Sequence, residues 1–259
     1  MTINRGKAKA GASENAATLA RSIELFKAFR HEQSDPERFY RLLARDTVTQ
    51  MSRYCNLPGS LALDVGGGPG HLAAAMREAG ARASFIENEP EELLEQGRRL
   101  GYGVIGDGCR MPFADATFDV SCSSNVLEHT PEPLRMLAEI VRVSRPGGLI
   151  FVTFTNWYSP WGGHETSPWH YLGGRRDARR FERRNERPPK NLFGSTLFQL
   201  HVSEVLSWAR AQSAAGKVQV IEVFPRYYPR WAHWIVSVPI LRELATWNLA
   251  IALRRTPER

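Results

Sequence analysis

The spacing of apolar residues changes twice along the chain. From Ala17 to Tyr54 they recur at helical intervals, first Leu19, Ile23, Phe26 and Phe29, then Phe39, Leu42, Leu43 and Val48, as on one face of a helix. Ser34-Asp35-Pro36 separates the two runs with a capping acid and a proline suited to a first helical turn, so two N-terminal helices are expected. Residues 1 to about 15 are small, polar and basic and read as a frayed tail. From residue 61 short apolar runs take over: LALDV, ASFIE, YGVIGD, FDVSCSS and LIFVTFT, alternating with helical segments near 70–79, 90–99 and 133–143. Strands alternating with ten-residue helices predict βαβ units and a parallel sheet.

Residues 157–196 interrupt the alternation with Trp157, Tyr158, Trp161, Trp169, Tyr171, several glycines and Pro188-Pro189, and read as an insertion. The pattern resumes with a helix at 202–212, a strand VQVIEVF at 218–224 and a last strand WNLAIAL at 247–253, making seven strands. The expected fold is an α/β, doubly wound, mostly parallel sheet, whose ligands sit beyond the carboxyl ends of its strands. Three regions follow: 1–55 as tail and helices, 56–156 with 197–255 as the core, and 157–196 as a cover on the side of the substrate. The stretch 226–247, RYYPRWAHWIVSVPILRELATW, is expected to pack as a helix between the last two strands.

Composition narrows the class. A chain of 259 residues with 42% hydrophobic and 24% charged residues has the profile of a folded protein, not a disordered one. Cys55, Cys109 and Cys122 form neither a zinc-binding spacing nor a disulfide framework. The first twenty residues hold no apolar signal-peptide core, and no apolar stretch is long enough to span a bilayer, so a cytoplasmic protein without stable membrane insertion is expected. The net charge of +7 is concentrated: between Arg175 and Lys190 stand seven Arg and one Lys against Asp177, Glu182 and Glu186. Such a run reads either as a solvated helix with pairs such as Arg179 and Arg183 beside Glu182 and Glu186, or as guanidiniums that clamp a phosphate. No recognised nucleic-acid module accompanies the charge, so a nucleic-acid partner is not expected.

The most specific motif is Asp64-Val65-Gly66-Gly67-Gly68-Pro69-Gly70, between a strand and a helix. Glycines there let the chain turn tightly and let a ligand approach closely. A dinucleotide fingerprint does not fit, because taking Gly66 and Gly68 as its first two glycines puts His71 at the third.

The spacing D-x-G-x-G-x-G instead resembles the class I S-adenosylmethionine-dependent methyltransferases, particularly the type 11 group of small-molecule enzymes, over roughly residues 60–155. The resemblance implies a Rossmann-like core that binds S-adenosylmethionine, with Asp64, Gly66, Gly68 and Gly70 around the methionine portion. It implies Glu87 on the ribose hydroxyls and Asp107 near the adenine, with Met111 and Phe113 as apolar neighbours. In FDVSCSSNVLEHTPEP it implies Asn125, Val126 and Leu127 facing the donor and His129 on the acceptor side. A histidine there suits a general base at neutral pH, and Glu128 would cap or orient a neighbour.

In GGHETSPWHYLGG, His164 is a second candidate catalytic residue, and His164 with Glu165 a candidate site for a divalent metal such as Mg²⁺ that polarises a hydroxyl. Within the family the chain looks closest to actinobacterial natural-product enzymes, some of which methylate nucleotide-linked deoxysugars. The leading expectation is therefore O-methylation of a small anionic acceptor such as a nucleotide-sugar, by a protein that could associate with its own copies. Two rivals stand beside it: C-methylation of a lipid or quinol in a greasy cleft, and a non-catalytic assembly protein built on the donor fold. The Asn/Asp-Pro-Pro-aromatic motif of base-methylating relatives is absent, since Asn125-Val126-Leu127-Glu128 stands in its place.

Overall fold

A computed structural model describes residues 17–32, 34–91 and 102–257. Helix α1 (Leu19–Phe29) starts at Thr18, whose hydroxyl accepts the Arg21 N–H at 3.2 Å. Helix α2 (Pro36–Met51) starts at Asp35, whose carboxylate accepts the Arg38 N–H at 3.2 Å, with Pro36 in the first turn as expected. The expected helix at 90–99 lies mostly outside the described residues.

The seven strands are β1 (Leu61–Val65), β2 (Arg82–Glu87), β3 (Gly103–Ile105), β4 (Phe118–Ser124), β5 (Ser144–Thr155), β6 (Val218–Pro225) and β7 (Asn248–Arg255). They form one sheet in the order β3-β2-β1-β4-β5-β7-β6. The first five pair in parallel, and β7 runs antiparallel to both β5 and β6. Helices α3 (His71–Glu78), α4 (Pro133–Val143) and α6 (Val202–Ala214) connect or follow the strands.

Alternation along each strand divides the core between the two faces of the sheet. Leu63, Val65, Ile150 and Val152 pack with Leu137 and Ile140 of α4 and Val205 and Leu206 of α6. Ala62, Val120, Cys122 and Phe151 pack on the opposite side with Met51 of α2 and Leu72 and Met76 of α3. Burial on both faces explains why these strands read as nearly continuous apolar runs.

Chain order reverses between β1 and β4, the central pair, so the segments leaving those two strands flank the crevice where such sheets bind ligands. The segment after β5 carries short 3-10 turns at His164–Thr166 and Trp169–Leu172 and then α5 (Gly174–Asn185), which packs on both turns.

The stretch between β6 and β7 differs from its expectation. It forms a 3-10 segment (Arg230–Ser237) and the short α7 (Pro239–Ala245), not one packed helix. Ala232 and Val236 are buried, but Trp231, Trp234, Ile240 and Leu244 face outward, Trp231 with 73% and Ile240 with 76% of its surface exposed. Prolines at 229 and 239 prevent a continuous helix, and the short α7 has no buried residue. No helix among the described residues is long and apolar enough to cross a membrane.

Candidate active site

The turn from β1 into α3 is built on left-handed glycines: Gly66, Gly68 and Gly70 have φ of 75°, 48° and 78°. A Cβ at Gly66 would lie 2.3 Å from Cγ1 of Val126, so this glycine also permits contact with the segment leaving β4. The Gly66 N–H donates to the Ile86 carbonyl at 2.9 Å and the Gly68 N–H to Oε2 of Glu87 at 2.8 Å. Glu87, at the end of β2, is thereby fixed against the loop. Oε1 accepts the N–H groups of Asn88 at 2.9 Å and Glu89 at 3.3 Å. A carboxylate oxygen has two lone pairs, so Oε2, with one donor, keeps capacity for a ribose hydroxyl.

Asp64 lies under the loop, 2% exposed, with Oδ2 buried and unpartnered. A Cβ at Gly67 would meet that oxygen at 3.1 Å. Burial, then the Glu87 charge, pushes its carboxyl up to about 7.

Asp107, just beyond β3, is exposed, and its Oδ1 accepts the Cys109 N–H at 2.7 Å. Its expected apolar neighbours turn inward instead: Met111 is buried in the core, and Phe113 packs edge-on against Phe118 at 5.2 Å between centroids.

Asn125 begins the turn after β4 with φ of 59°, a conformation asparagine tolerates better than most residues. Its Oδ1 accepts from Nδ2 of Asn248 at 2.9 Å, the Thr153 hydroxyl at 3.2 Å and Nη1 of Arg226 at 3.2 Å. Arg226 was not anticipated from the sequence. It is wholly buried, donates to Thr153, Ser124 and Thr47 as well, and makes no ion pair among the described residues. The available signal was an arginine directly after the apolar strand VQVIEVFP, at the same edge of the sheet as the glycine loop.

Arg226→Ala is expected to cost about 2–3 kcal/mol, mainly as a cavity, and to lower the melting temperature by about 4–12 °C. A melt matching wild type would remove Arg226 as the support of Asn125.

Just beyond Val126 the structure assembles a cluster the sequence did not foresee as a set. Glu128, His129 and His164 each offer a ligand-type atom, all within 4.8 Å of one another. Glu128 is 1% exposed; its Oε1 accepts the Thr155 N–H at 2.9 Å, while Oε2 is buried and unpartnered. Nδ1 of His129 lies 2.7 Å from the Thr196 carbonyl, which can only accept, so Nδ1 carries the proton and Nε2 keeps a lone pair.

His164 stands with φ of 49°, its ring 5.0 Å from that of His129 and its Nε2 buried without a partner. Burial, and then the neighbouring His129 and His170, push its imidazole down to about 3, so it is neutral at pH 7. Unusual backbone at two residues of one crevice fits a functional site. Glu165 does not join His164: its Oε2 accepts from Asn191 at 3.0 Å, on the side of a polar cleft of about 270 Å³ that Asp177, Arg180 and Arg184 also line.

The arginines of α5 are exposed, and none pairs with Glu182 or Glu186 among the described residues. Arg180 lies over the Trp169 ring at 3.8 Å.

Comparison with known proteins identifies the family. The family model described as a methyltransferase domain, of the type 11 group, matches residues 63–152. An uncharacterized methyltransferase of Mycobacterium avium is 44% identical over 248 residues, covering 92% of this chain and 96% of that protein. One of Mycobacterium tuberculosis is 44% identical over 247 residues, covering 92% and 95%. The chain belongs to the class I S-adenosylmethionine-dependent methyltransferases.

Solved structures share the fold. The S-adenosylmethionine-dependent methyltransferase of Mesorhizobium loti gives a TM-score of 0.55 at 17% identity, covering 78% of this chain and 93% of that one. A TehB-like methyltransferase of Corynebacterium glutamicum gives 0.53 at 14% identity, covering 92% and 99%. The residues present fit the donor: three left-handed glycines, an orphaned buried acid beneath them and a fixed acid at the end of β2.

Proposed function

We propose that the protein methylates a hydroxyl oxygen of a small anionic acceptor, with a nucleotide-linked sugar as the best-fitting class. The observation that carries this reading is the Glu128–His129–His164 cluster, two of whose members directly follow the Val126 turn beside the donor loop. The glycine loop and Glu87 would hold the donor, which would supply an electrophilic methyl carbon to the acceptor oxygen, with the thioether as leaving group. The chain's task is to align the acceptor and relieve its oxygen of a proton. His129 is suited to it, because the Thr196 carbonyl fixes the tautomer and leaves Nε2 able to take that proton.

Segment 157–196 then serves as the acceptor's cover. Arg180 and Arg184 on the 270 Å³ cleft beside Glu165 provide forked donors for a phosphate.

The test is a screen of methyl-labelled donor against nucleotide-sugars, phenols and lipids. His129→Ala is expected to lower turnover about 10²–10⁴-fold, the usual contribution of general-base catalysis, with calorimetric donor binding intact. Turnover equal to wild type would remove His129 from the mechanism, and labelling of lipids alone would replace the acceptor class. The lipid reading has one observation in its favour, the outward Trp231, Trp234 and Ile240; it predicts co-sedimentation with liposomes and methylation at carbon.

A further inference from the structure

The cluster on the acceptor side holds more unpaired donor atoms than proton transfer requires. Glu128 Oε2 and His164 Nε2 are both buried without a hydrogen-bond partner among the described residues, and His129 adds the lone pair left by its contact with Thr196. Buried polar atoms are nearly always paired, so two orphans in one cluster call for a third body. We propose that Glu128, His129 and His164 bind one divalent transition-metal ion of the zinc class, with a coordination position open to an oxygen of the acceptor.

Two imidazoles and one carboxylate are a recurrent catalytic zinc set. Imidazole ligands disfavour Mg²⁺, which prefers an octahedron of oxygens. The ligand set also differs from the His164–Glu165 pair expected from the sequence, because Glu165 is engaged by Asn191.

The supporting contacts are those of a metal site. A backbone carbonyl, Thr196, holds the far nitrogen of His129, and a backbone N–H, Thr155, holds the far oxygen of Glu128, so each ligand is oriented by its other atom. Metal bonds of about 2.0–2.2 Å place ligand atoms roughly 3.3–3.6 Å apart, and the three ligand atoms all lie within 4.8 Å of one another, a difference that side-chain rotation can close.

The acceptor role rests on the O-methylation reading above; the metal site itself does not. An acceptor hydroxyl on the open position would lose its proton to solvent as it binds, and the metal would then do what His129 does in the metal-free mechanism.

The test uses untagged protein freed of metal with a chelator, then loaded with Zn²⁺ alone or Co²⁺ alone. After gel filtration one ion is expected to remain per chain, and Co²⁺ should give visible d–d absorption. Glu128→Gln keeps an oxygen for the Thr155 N–H, and His164→Ala lies on a different segment. Each is expected to weaken metal binding by at least about tenfold, while Glu165→Gln binds as wild type. Far-ultraviolet circular dichroism of each variant separates lost ligation from lost fold.

A wild-type chain that retains no ion, or both variants binding like wild type, would overturn the proposal. Donor calorimetry on the metal-free protein keeps the two readings apart. Donor binding without metal retention sinks the site alone; metal retention without donor binding sinks the methyl-transfer reading alone.

Discussion

Alanine at Gly66 is expected to abolish calorimetric binding of S-adenosylmethionine and to lower the melting temperature by about 4–20 °C. Two costs combine. The residue has φ of 75°, which a Cβ makes unfavourable by about 1–2 kcal/mol. The added carbon would also stand 2.3 and 2.6 Å from the two Cγ atoms of Val126, so the segment leaving β4 must move, an overpacking cost of about 1–3 kcal/mol. The total of about 2–5 kcal/mol sets the expected range of melting.

Gly59 provides the control. It has nearly the same φ, 78°, but a Cβ there meets nothing within 4 Å, so Gly59→Ala should show the conformational cost alone and bind donor normally. Adding Val126→Ala to Gly66→Ala should recover part of the lost stability, because the two Cγ contacts are then gone and only the 3.0 Å approach to Cβ of residue 126 and the conformational cost remain. Displacement of Val126 also disturbs the turn that carries Glu128 and His129, so methyl transfer should be lost even at saturating donor. If Gly66→Ala binds donor as well as Gly59→Ala does, the donor does not rest on this loop.

The parts of the fold set by local pattern were legible. Thr18 was not noticed as a cap, but Asp35-Pro36 marked the start of α2, and Pro133 to Val143 is the observed α4. The run LIFVTFT lies within β5, whose full span begins earlier, at Ser144, because Ser144 pairs with Phe118 of β4 and the ladder resumes at Leu149 after an irregularity over 145–148. The glycine turn and the placement of Glu87 beside it were legible for a similar reason. Glycines, a strand-end acid and their spacing are consecutive in sequence, and the backbone of one βαβ unit brings them together.

The acceptor side was not legible as a set. His129 and His164 are separated by the whole of α4 and β5, and only the path of the loop after β5 brings the rings to 5.0 Å. Glu165, adjacent to His164 in sequence, looked like its partner, but φ of 49° at His164 directs the two side chains to different neighbours. Arg226 was missed because an arginine after a strand is usually solvated; this one is enclosed by Thr47, Ser124, Asn125 and Thr153 from three other elements. The outward Trp231 and Trp234 mark the opposite error, apolar residues assigned to a core that the chain between its two prolines does not reach.

Asp64 should make both stability and donor affinity depend on pH, in opposite directions. Its carboxyl sits near 3.8 in the unfolded chain and is pushed up to about 7 in the fold, by burial and then by the charge of Glu87. Between pH 4 and 7 the folded chain therefore holds more protons than the unfolded chain, and stability falls as pH rises. The contribution is fully present below about pH 4 and lost as pH passes through 7. At about 1.4 kcal/mol per pH unit, it amounts to about 4 kcal/mol.

Asp64→Asn stays uncharged throughout. It should therefore melt above wild type at pH 8, with the gap closing as pH falls toward 4. The donor acts the other way, because its sulfonium and amino groups are cationic and favour the ionised acid beneath the loop. Donor binding should release a proton near neutrality, and affinity should rise by up to about tenfold per pH unit until about pH 7 and then level off. Calorimetry in two buffers of different ionisation enthalpy reads that proton directly, and Asp64→Asn should silence it. A wild-type enthalpy independent of buffer between pH 5.5 and 7 would mean that Asp64 does not change charge beneath the donor, and that its orphaned Oδ2 is stabilised by some other contact.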